Sequence, residues 1–512
     1  MLGRRPRPLH PVGVVPASLR SLVSDSQRAR LLSRLFFCRF LGGVLVLTFI
    51  LFRAITTGQL YAPRPSTMHN PKLDSEKRLV LMTLEYKKST FSGNGVYAQS
   101  IARSLAKRGN HVLVLSAKPT NKTIKLNNGE ISKQEMLQET ELRMYEIDVE
   151  VEGSKWGRLD WKSPWRNFAD GITENVVKMV VEFNPSWILV VDWSALPAYL
   201  RLGEATGIQQ CPMAFLNFRI YYISEYKGSE GMKEKDFYRD MESKAVSMAS
   251  TIAALSSRDA HILSTELGSG ISPGVLPKPL FPPLREDIRS LAMSTLKSSG
   301  DWKKGRKYIS CCVRLSPEKN ADLFASIVES LAGFMEDQGI LPFLCGGAHG
   351  GGEYADSIKQ RVRVAFPKAV IYEGFMGPTQ LADVFSQTLL NVHPCIYDAY
   401  GMTIVEAAAF EAPSIVHVGL GGAVGAAEFL DPEKGQVFGL DLCAPIEIIS
   451  SKIKGLIIDD LKLTQIGREA GLRSLSWDED ANAGQLLKIL ESSSGTSKSD
   501  IEIQSLEDYK HK

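Results

Sequence analysis

"TLLNVHPCIYDAYGMTIVEAAAFEAPSIVHVGL", residues 388–420, runs from an apolar segment of strand length through a polar turn into a small-residue helix, then into a second apolar segment after Pro413. Two mainly apolar strands joined by a helix predict a βαβ unit in a parallel sheet. The turn carries Asp398 and Gly401, and the helix that starts near Met402 carries Glu406. A loop and a helix N-terminus at the carboxyl end of a parallel strand are where open α/β sheets bind ligands.

The same alternation precedes this stretch. "YISCCVRL", "LPFLCGG" and "AVIYEGF" read as strands, and "KNADLFASIVESLAGFM", "YADSIKQRVRVAF" and "PTQLADVFSQ" read as helices. An earlier series begins at "RLVLMTLEY", passes through a Gly-containing loop and a helix from Val96, and returns as the strand "HVLVLSA". It continues through "SWILVV", "ALPAYLRLGEA", "PMAFLNF", "KDFYRDMESKAVSMA", "STIAALS" and "SRDAHILSTELG". Two such series predict two Rossmann-like, doubly wound α/β domains facing each other across a cleft. The expected boundaries are 78–285 for the first domain, 286–306 for a polar linker with some helical character, 307–491 for the second domain and 492–512 for a disordered tail.

A chain of 512 residues is too long for one ordinary core, which agrees with two domains. Its net charge of +3 argues against a general nucleic-acid binder. The 7 cysteines show neither CxxC nor zinc-site spacing and read mainly as small buried hydrophobes. The N-terminus differs from the rest. An Arg-rich segment, 1–35, precedes an apolar run, 36–55, and a Pro-bearing stalk, 56–77. This is the layout of a type II signal anchor, a transmembrane helix with the basic tail in the cytoplasm and the domains in the Golgi or ER lumen. Asn121, in the sequon "NKT", would then be open to glycosylation. The alternative is a transit peptide to a plastid or mitochondrion, because residues 1–35 are also poor in acids.

The residues that carry chemistry fall at strand ends. The amides of Gly401, Met402 and Thr403 suit a phosphate, with Gly401 allowing close approach. Glu406, among apolar neighbours, suits two ribose hydroxyls, and Asp398 suits a sugar hydroxyl. Arg314 and Lys319 follow the first strand of the second domain, where a guanidinium fork and an ammonium can straddle a diphosphate. Gly93 and Gly95 let the first-domain loop lie against a ligand, and Asp192 ends the strand "WILVV". The competing readings are ordinary ones: a turn acid, a solvated helix residue, surface charges, and for Asp192 a cap region with Ser194. His349 is a weaker candidate for the cleft. No HExxH, GxSxG or Walker pattern is present, so neither a metal nor a bound cofactor is expected.

Taken in order, "STFSGNGVYAQSIARSLAKRGNHVLVLS", "VRLSPEKNADLF", "FLCGGAHGGGEY" and the stretch from Val370 to Val416 resemble the GT-B glycosyltransferases of family 4, over residues 79–490. The resemblance implies a retaining, metal-independent transfer from a nucleotide sugar held mainly by the second domain, to an acceptor it does not identify. Asp398 and Glu406 match the family's paired acids, the first on the transferred sugar and the second on the ribose. Arg314 and Lys319 match the cations of the diphosphate, Gly93 and Gly95 the N-terminal loop, and Asp192 with Trp193 a stretch found in starch-synthase-like relatives. Three features depart from the pattern: the first acid is Asp rather than Glu, "FEAP" follows the helix, and Val191 stands where relatives often carry His. A nucleotide-sugar epimerase, a phosphorylase and a non-catalytic sugar-binding protein of the same fold are the alternatives.

Overall fold

The computed structural model describes residues 76–493 apart from 88–89, 91, 121–142, 153–163, 205–207, 209, 224–231, 297–301, 303, 348–351, 375 and 421. The expected anchor and stalk, Asn121, His349 and the tail beyond Ser493 lie outside the described residues. No described helix is long and apolar enough to cross a membrane.

The first domain is built on β1 (Arg78–Thr83), β2 (His111–Thr120), β3 (Met144–Glu152), β4 (Trp187–Val191), β5 (Met213–Asn217), β6 (Thr251–Ala254) and β7 (Lys278–Pro279). All pair in parallel, in the order β3-β2-β1-β4-β5-β6-β7. The second domain holds β8 (Tyr308–Cys312), β9 (Leu341–Cys345), β10 (Val370–Tyr372), β11 (Thr388–Val392), β12 (Tyr397–Asp398), β13 (Ser414–His417), β14 (Ala423–Val424) and β15 (Phe438–Leu440). Its main sheet runs β10-β9-β8-β11-β13-β15, again parallel, while β12 and β14 form a separate pair. Helices cover both faces of each sheet, so the central strands are buried along their whole length, as in "WILVV" and "MAFLN".

The structure departs from the sequence reading in three places. The first helix begins at Gly93, not at Val96, so Gly93 and Gly95 form its first turn instead of a loop. Ser92 caps it: its Oγ accepts from Asn94 N at 3.1 Å, while its own N–H and O–H donate to Glu85 at 2.9 and 2.7 Å. The linker has the helical character expected of it, as the helix Glu286–Leu296, packed on the second-domain helices Pro378–Ser386 and Met402–Ala409. The last helix, Glu479–Ser493, does not stay with the second domain but crosses back to the helix Gly93–Lys107. There Arg103 pairs with Glu479, and Asn482 Nδ2 donates to Tyr97 Oη at 3.0 Å. Finally, β3 and the helices Pro164–Asp170 and Glu174–Phe183 fill a region where no pattern was read.

Of the described cysteines, Cys211, Cys311, Cys312, Cys345 and Cys395 are buried as expected, whereas Cys443 is exposed, and none forms a disulfide.

Candidate active site

In each sheet the strand order reverses once at the centre, between β1 and β4 and between β8 and β11. Connections leave such a pair toward opposite faces and open a crevice at its carboxyl end. The two crevices face each other around one cavity of about 520 Å³. The first domain contributes Glu85, Gly93, Asn94 and Asp192 to its lining, and the second contributes Arg314, Lys319, Asp398, Gly401, Met402, Thr403 and Glu406. Of the candidate residues that are described, all but Gly95 line this cavity. A Cβ at Gly95 would sit 2.6 Å from Thr90 Oγ1 and 2.9 Å from Glu85 Cβ, so that glycine seats the cap loop. A Cβ at Gly93 would meet Met402 Sδ, across the cleft, at 3.2 Å.

Asp398 is the centre of a buried charge cluster. Its Oδ2 accepts from Lys319 Nζ at 2.6 Å and from His393 Nε2 at 3.2 Å, and its Oδ1 lies 3.6 Å from the Arg219 guanidinium. Burial alone would raise the Asp398 carboxyl, but Lys319, His393 and Arg219 outweigh it and hold the group well below the usual carboxylate range. Burial likewise opposes a proton on His393, yet Cys395 and Asp398 beside it push the imidazole up to about 9. His393 is therefore cationic at neutral pH, with Nε2 as donor.

The other groups are arranged more openly. Arg314 donates to Glu318 at 2.6 Å and Ser316 Oγ at 3.3 Å while still reaching the cavity. Glu318 keeps its charge because Arg314 and the Ser316 hydrogen bond overcome the cost of its burial. Glu406 is buried in the apolar helix Met402–Ala409, and burial raises its carboxyl despite Arg285, 3.7 Å away. The helix itself starts at Gly401, at a φ of +90° that a side chain would strain. A Cβ there would also press to 2.8 Å from Ile404 Cδ1. The first amides of such a helix have no intrahelical acceptor, and they open on the cavity through Gly401, Met402 and Thr403.

Asp192 is the first residue of the helix Asp192–Gly203 at a φ of +59°, and no side chain caps that helix, so the cap reading does not hold. It is 2% exposed, accepts from Asn94 Nδ2 at 3.3 Å, and has a buried Oδ1 with no hydrogen-bond partner among the described residues. Burial pushes its carboxyl up to about 7, against the pull of Arg219 and two backbone hydrogen bonds.

Among the lining groups that escaped the sequence reading are His393, Arg219 and Arg285. His393 stands in "VHP" at the very end of β11, a position that could have flagged it. Arg219 and Arg285 follow β5 and β7 in irregular segments without any motif. His393, Cys395 and Asp398 offer ligand atoms within 4.8 Å of one another. Lys319 Nζ and His393 Nε2 both hydrogen-bond to Asp398 Oδ2 there, at 2.6 and 3.2 Å. His417, Asp441 and Cys443 form a second such group at the surface, where His417 Nδ1 accepts from Leu442 N at 3.1 Å.

Residues 293–429 match the family model described as "Glycosyl transferases group 1". No curated protein matches the chain. Among solved structures the fold is similar to sucrose-phosphate synthase from Thermosynechococcus elongatus (TM-score 0.62, 13% identity, 82% of this chain and 99% of that one). It is also similar to a UDP-forming α,α-trehalose-phosphate synthase from Burkholderia xenovorans (0.59, 13%, 82% and 100%). A third likeness is HepE from Anabaena in complex with UDP and glucose (0.55, 16%, 81% and 100%). The group 1 domain makes this chain a glycosyltransferase, and the two facing parallel sheets are the GT-B arrangement.

Proposed function

We propose that the chain transfers a sugar from a nucleoside-diphosphate sugar with retention of anomeric configuration, and that its donor sits on the second domain. The observation that carries this reading is the convergence, at one switch point, of a buried carboxylate, a Gly-led helix N-terminus and two cations. Glu406 would take the ribose hydroxyls. The amides from Gly401 to Thr403, with Arg314 and Lys319, would take the diphosphate. Charge on that diphosphate grows as the glycosidic bond breaks, so cations already held in place by Glu318 and Asp398 stabilise the transition state without reorganising. HepE was solved with UDP, which supports a nucleoside diphosphate as the donor's leaving group.

Asp398 has a wider role in this reading than a sugar contact alone. Its short side chain is engaged by Lys319 and His393, so it orients the lysine as well as facing the donor sugar. No step requires a metal. Retention rests on the motif resemblance around Asp398 and Glu406.

The N-terminal layout supports a type II membrane anchor that places both domains in the Golgi or ER lumen. A C-terminal tag protected from protease in intact microsomes is expected, and digestion without detergent would refute the topology. The enzymatic reading is tested with a panel of UDP-, ADP- and GDP-sugars. Free nucleotide should be released from one donor, and NMR of the product should show the donor's anomeric configuration. A folded protein that binds no nucleotide would sink the proposal, and binding without release would favour a sugar-binding protein.

A further inference from the structure

β12 and β14 form a two-stranded unit apart from the main sheet of the second domain. Backbone contacts tie this unit to the site. Gly425 N donates to Asp398 O at 3.0 Å, and Ala426 N donates to Tyr400 O at 2.7 Å. A Cβ at Gly425 would sit 2.0 Å from Ala399 O, so the approach needs glycine. The short helix that follows, Ala426–Phe429, carries Glu428. Tyr397, Asp398 and Glu428 are therefore parts of one piece.

All three reach the first domain. Tyr397 is 5% exposed and belongs to the hydrophobic core of that domain, although it lies in the second. Its Oη accepts from Ile220 N at 3.4 Å and donates to the Asp259 carboxylate at 3.4 Å, and the Arg258 guanidinium lies 5.4 Å from its ring centroid. Glu428 accepts from Ser257 N at 2.7 Å and from Arg258 N at 3.0 Å. Those are the first two amides of the helix Ser257–Glu266, which have no intrahelical acceptor, so Glu428 caps a first-domain helix from the second domain. The next amide, Asp259 N, is satisfied within its own domain by Ser256 Oγ at 3.0 Å. Ile220 directly follows Arg219, whose guanidinium lies 3.6 Å from Asp398 Oδ1. Tyr397 thus precedes one member of that cross-cleft pair and holds the chain neighbour of the other.

We propose that Tyr397 and Glu428 are positioning residues for the transfer reaction: they fasten the β12–β14 unit to the first domain and so hold Arg219 against Asp398, the acid that orients Lys319. This rests on the role given above to Asp398 and Lys319. Neither Tyr397 nor Glu428 is among the described residues that line the cavity, so both act through Asp398 and not by touching substrate.

The test uses the full chain and first reads amide hydrogen exchange by mass spectrometry, without donor. Tyr397→Phe keeps the ring and removes Oη. Glu428→Ala removes the cap at an exposed position, where the packing stays intact, so it decides the matter should Tyr397→Phe fail to fold. Each variant should speed exchange at the contact it keeps as well as at the one it loses: at Ser257 and Arg258 for Tyr397→Phe, and at Ile220 for Glu428→Ala. The rise should be roughly tenfold, the scale of one charge-assisted hydrogen bond. The same variants are assayed with UDP-glucose, ADP-glucose and GDP-mannose. On the donor that the parent cleaves, kcat should fall at least about tenfold, since a misplacement of about 1 Å can cost 10²-fold. KM for the donor should stay nearly constant, because its contacts lie on the second domain. Faster exchange confined to the amide whose acceptor was removed overturns the proposal, and so does an unchanged kcat. A parent that releases nucleotide from none of the donors would overturn the glycosyltransferase reading instead, and the exchange pattern would still decide whether the two contacts act together.

Discussion

Replacing Asp398 with Asn tests whether the charge cluster is real. The substitution is nearly isosteric and leaves Lys319, His393 and Arg219 facing an amide at 2.6, 3.2 and 3.6 Å. At an effective dielectric constant of about 20, the Lys319 contact alone carries roughly 6 kcal/mol of gross attraction. Desolvation of both groups cancels much of this, and removing one partner of a buried pair typically costs about 3–5 kcal/mol. A loss of that size is expected at pH 7 in urea unfolding followed by circular dichroism. The pH dependence adds a second signature. His393 has a folded value of about 9 against 6.5 unfolded, so its contribution is full below pH 6.5 and is lost as pH rises through 9. Those 2.5 units amount to about 3 kcal/mol. Without the Asp398 charge, one of the two groups that raise His393 is gone, and the decline between pH 6.5 and 9 should shrink. The raised Asp192 and Asp259 carboxyls make both proteins lose stability from pH 3.8 to about 7, so the comparison between them is read above that window. Stability within about 0.5 kcal/mol of the parent, as for a surface residue, or an unchanged slope above pH 7, would refute the reasoning.

Other substitutions separate binding, turnover and packing. Glu406→Gln should weaken nucleotide-sugar binding by about 1.5–3 kcal/mol, the value of a charge-assisted hydrogen bond, and unchanged affinity by calorimetry would remove it from the ribose site. Arg314→Ala and Lys319→Ala should each lower turnover on the order of 10²-fold or more with a smaller effect on donor binding, and a double variant as active as the parent would exclude both from the mechanism. Gly95→Ala drives a methyl into Thr90 Oγ1 and Glu85 Cβ, and overpacking of this kind should destabilise by about 1–3 kcal/mol. Gly93→Ala meets only the flexible end of Met402 and should leave the melting temperature nearly unchanged, so equal effects at both glycines would contradict the geometry.

The strand-and-helix alternation was legible because it is local. A buried parallel strand needs a continuous apolar run, and a helix under a sheet needs a 3.6-residue stripe, so each writes its period into its own residues. The acid–Gly–acid spacing of Asp398, Gly401 and Glu406 was legible for the same reason: a strand end, a turn and a helix start are contiguous in the chain. Contacts between distant segments leave no such mark. The helix Glu479–Ser493 has the same amphipathic pattern whichever domain it packs against, and only the meeting of Glu479 with Arg103 and of Asn482 with Tyr97 assigns it to the first. Arg219 and Arg285 read as unremarkable charges in irregular segments until folding brings them to Asp398 and Glu406, 179 and 121 residues further along the chain. The protonation of His393 and Asp192 belongs to the same category. Whether burial or a neighbouring charge wins at a titratable group depends on distances in space, and those exist only once the two sheets face each other.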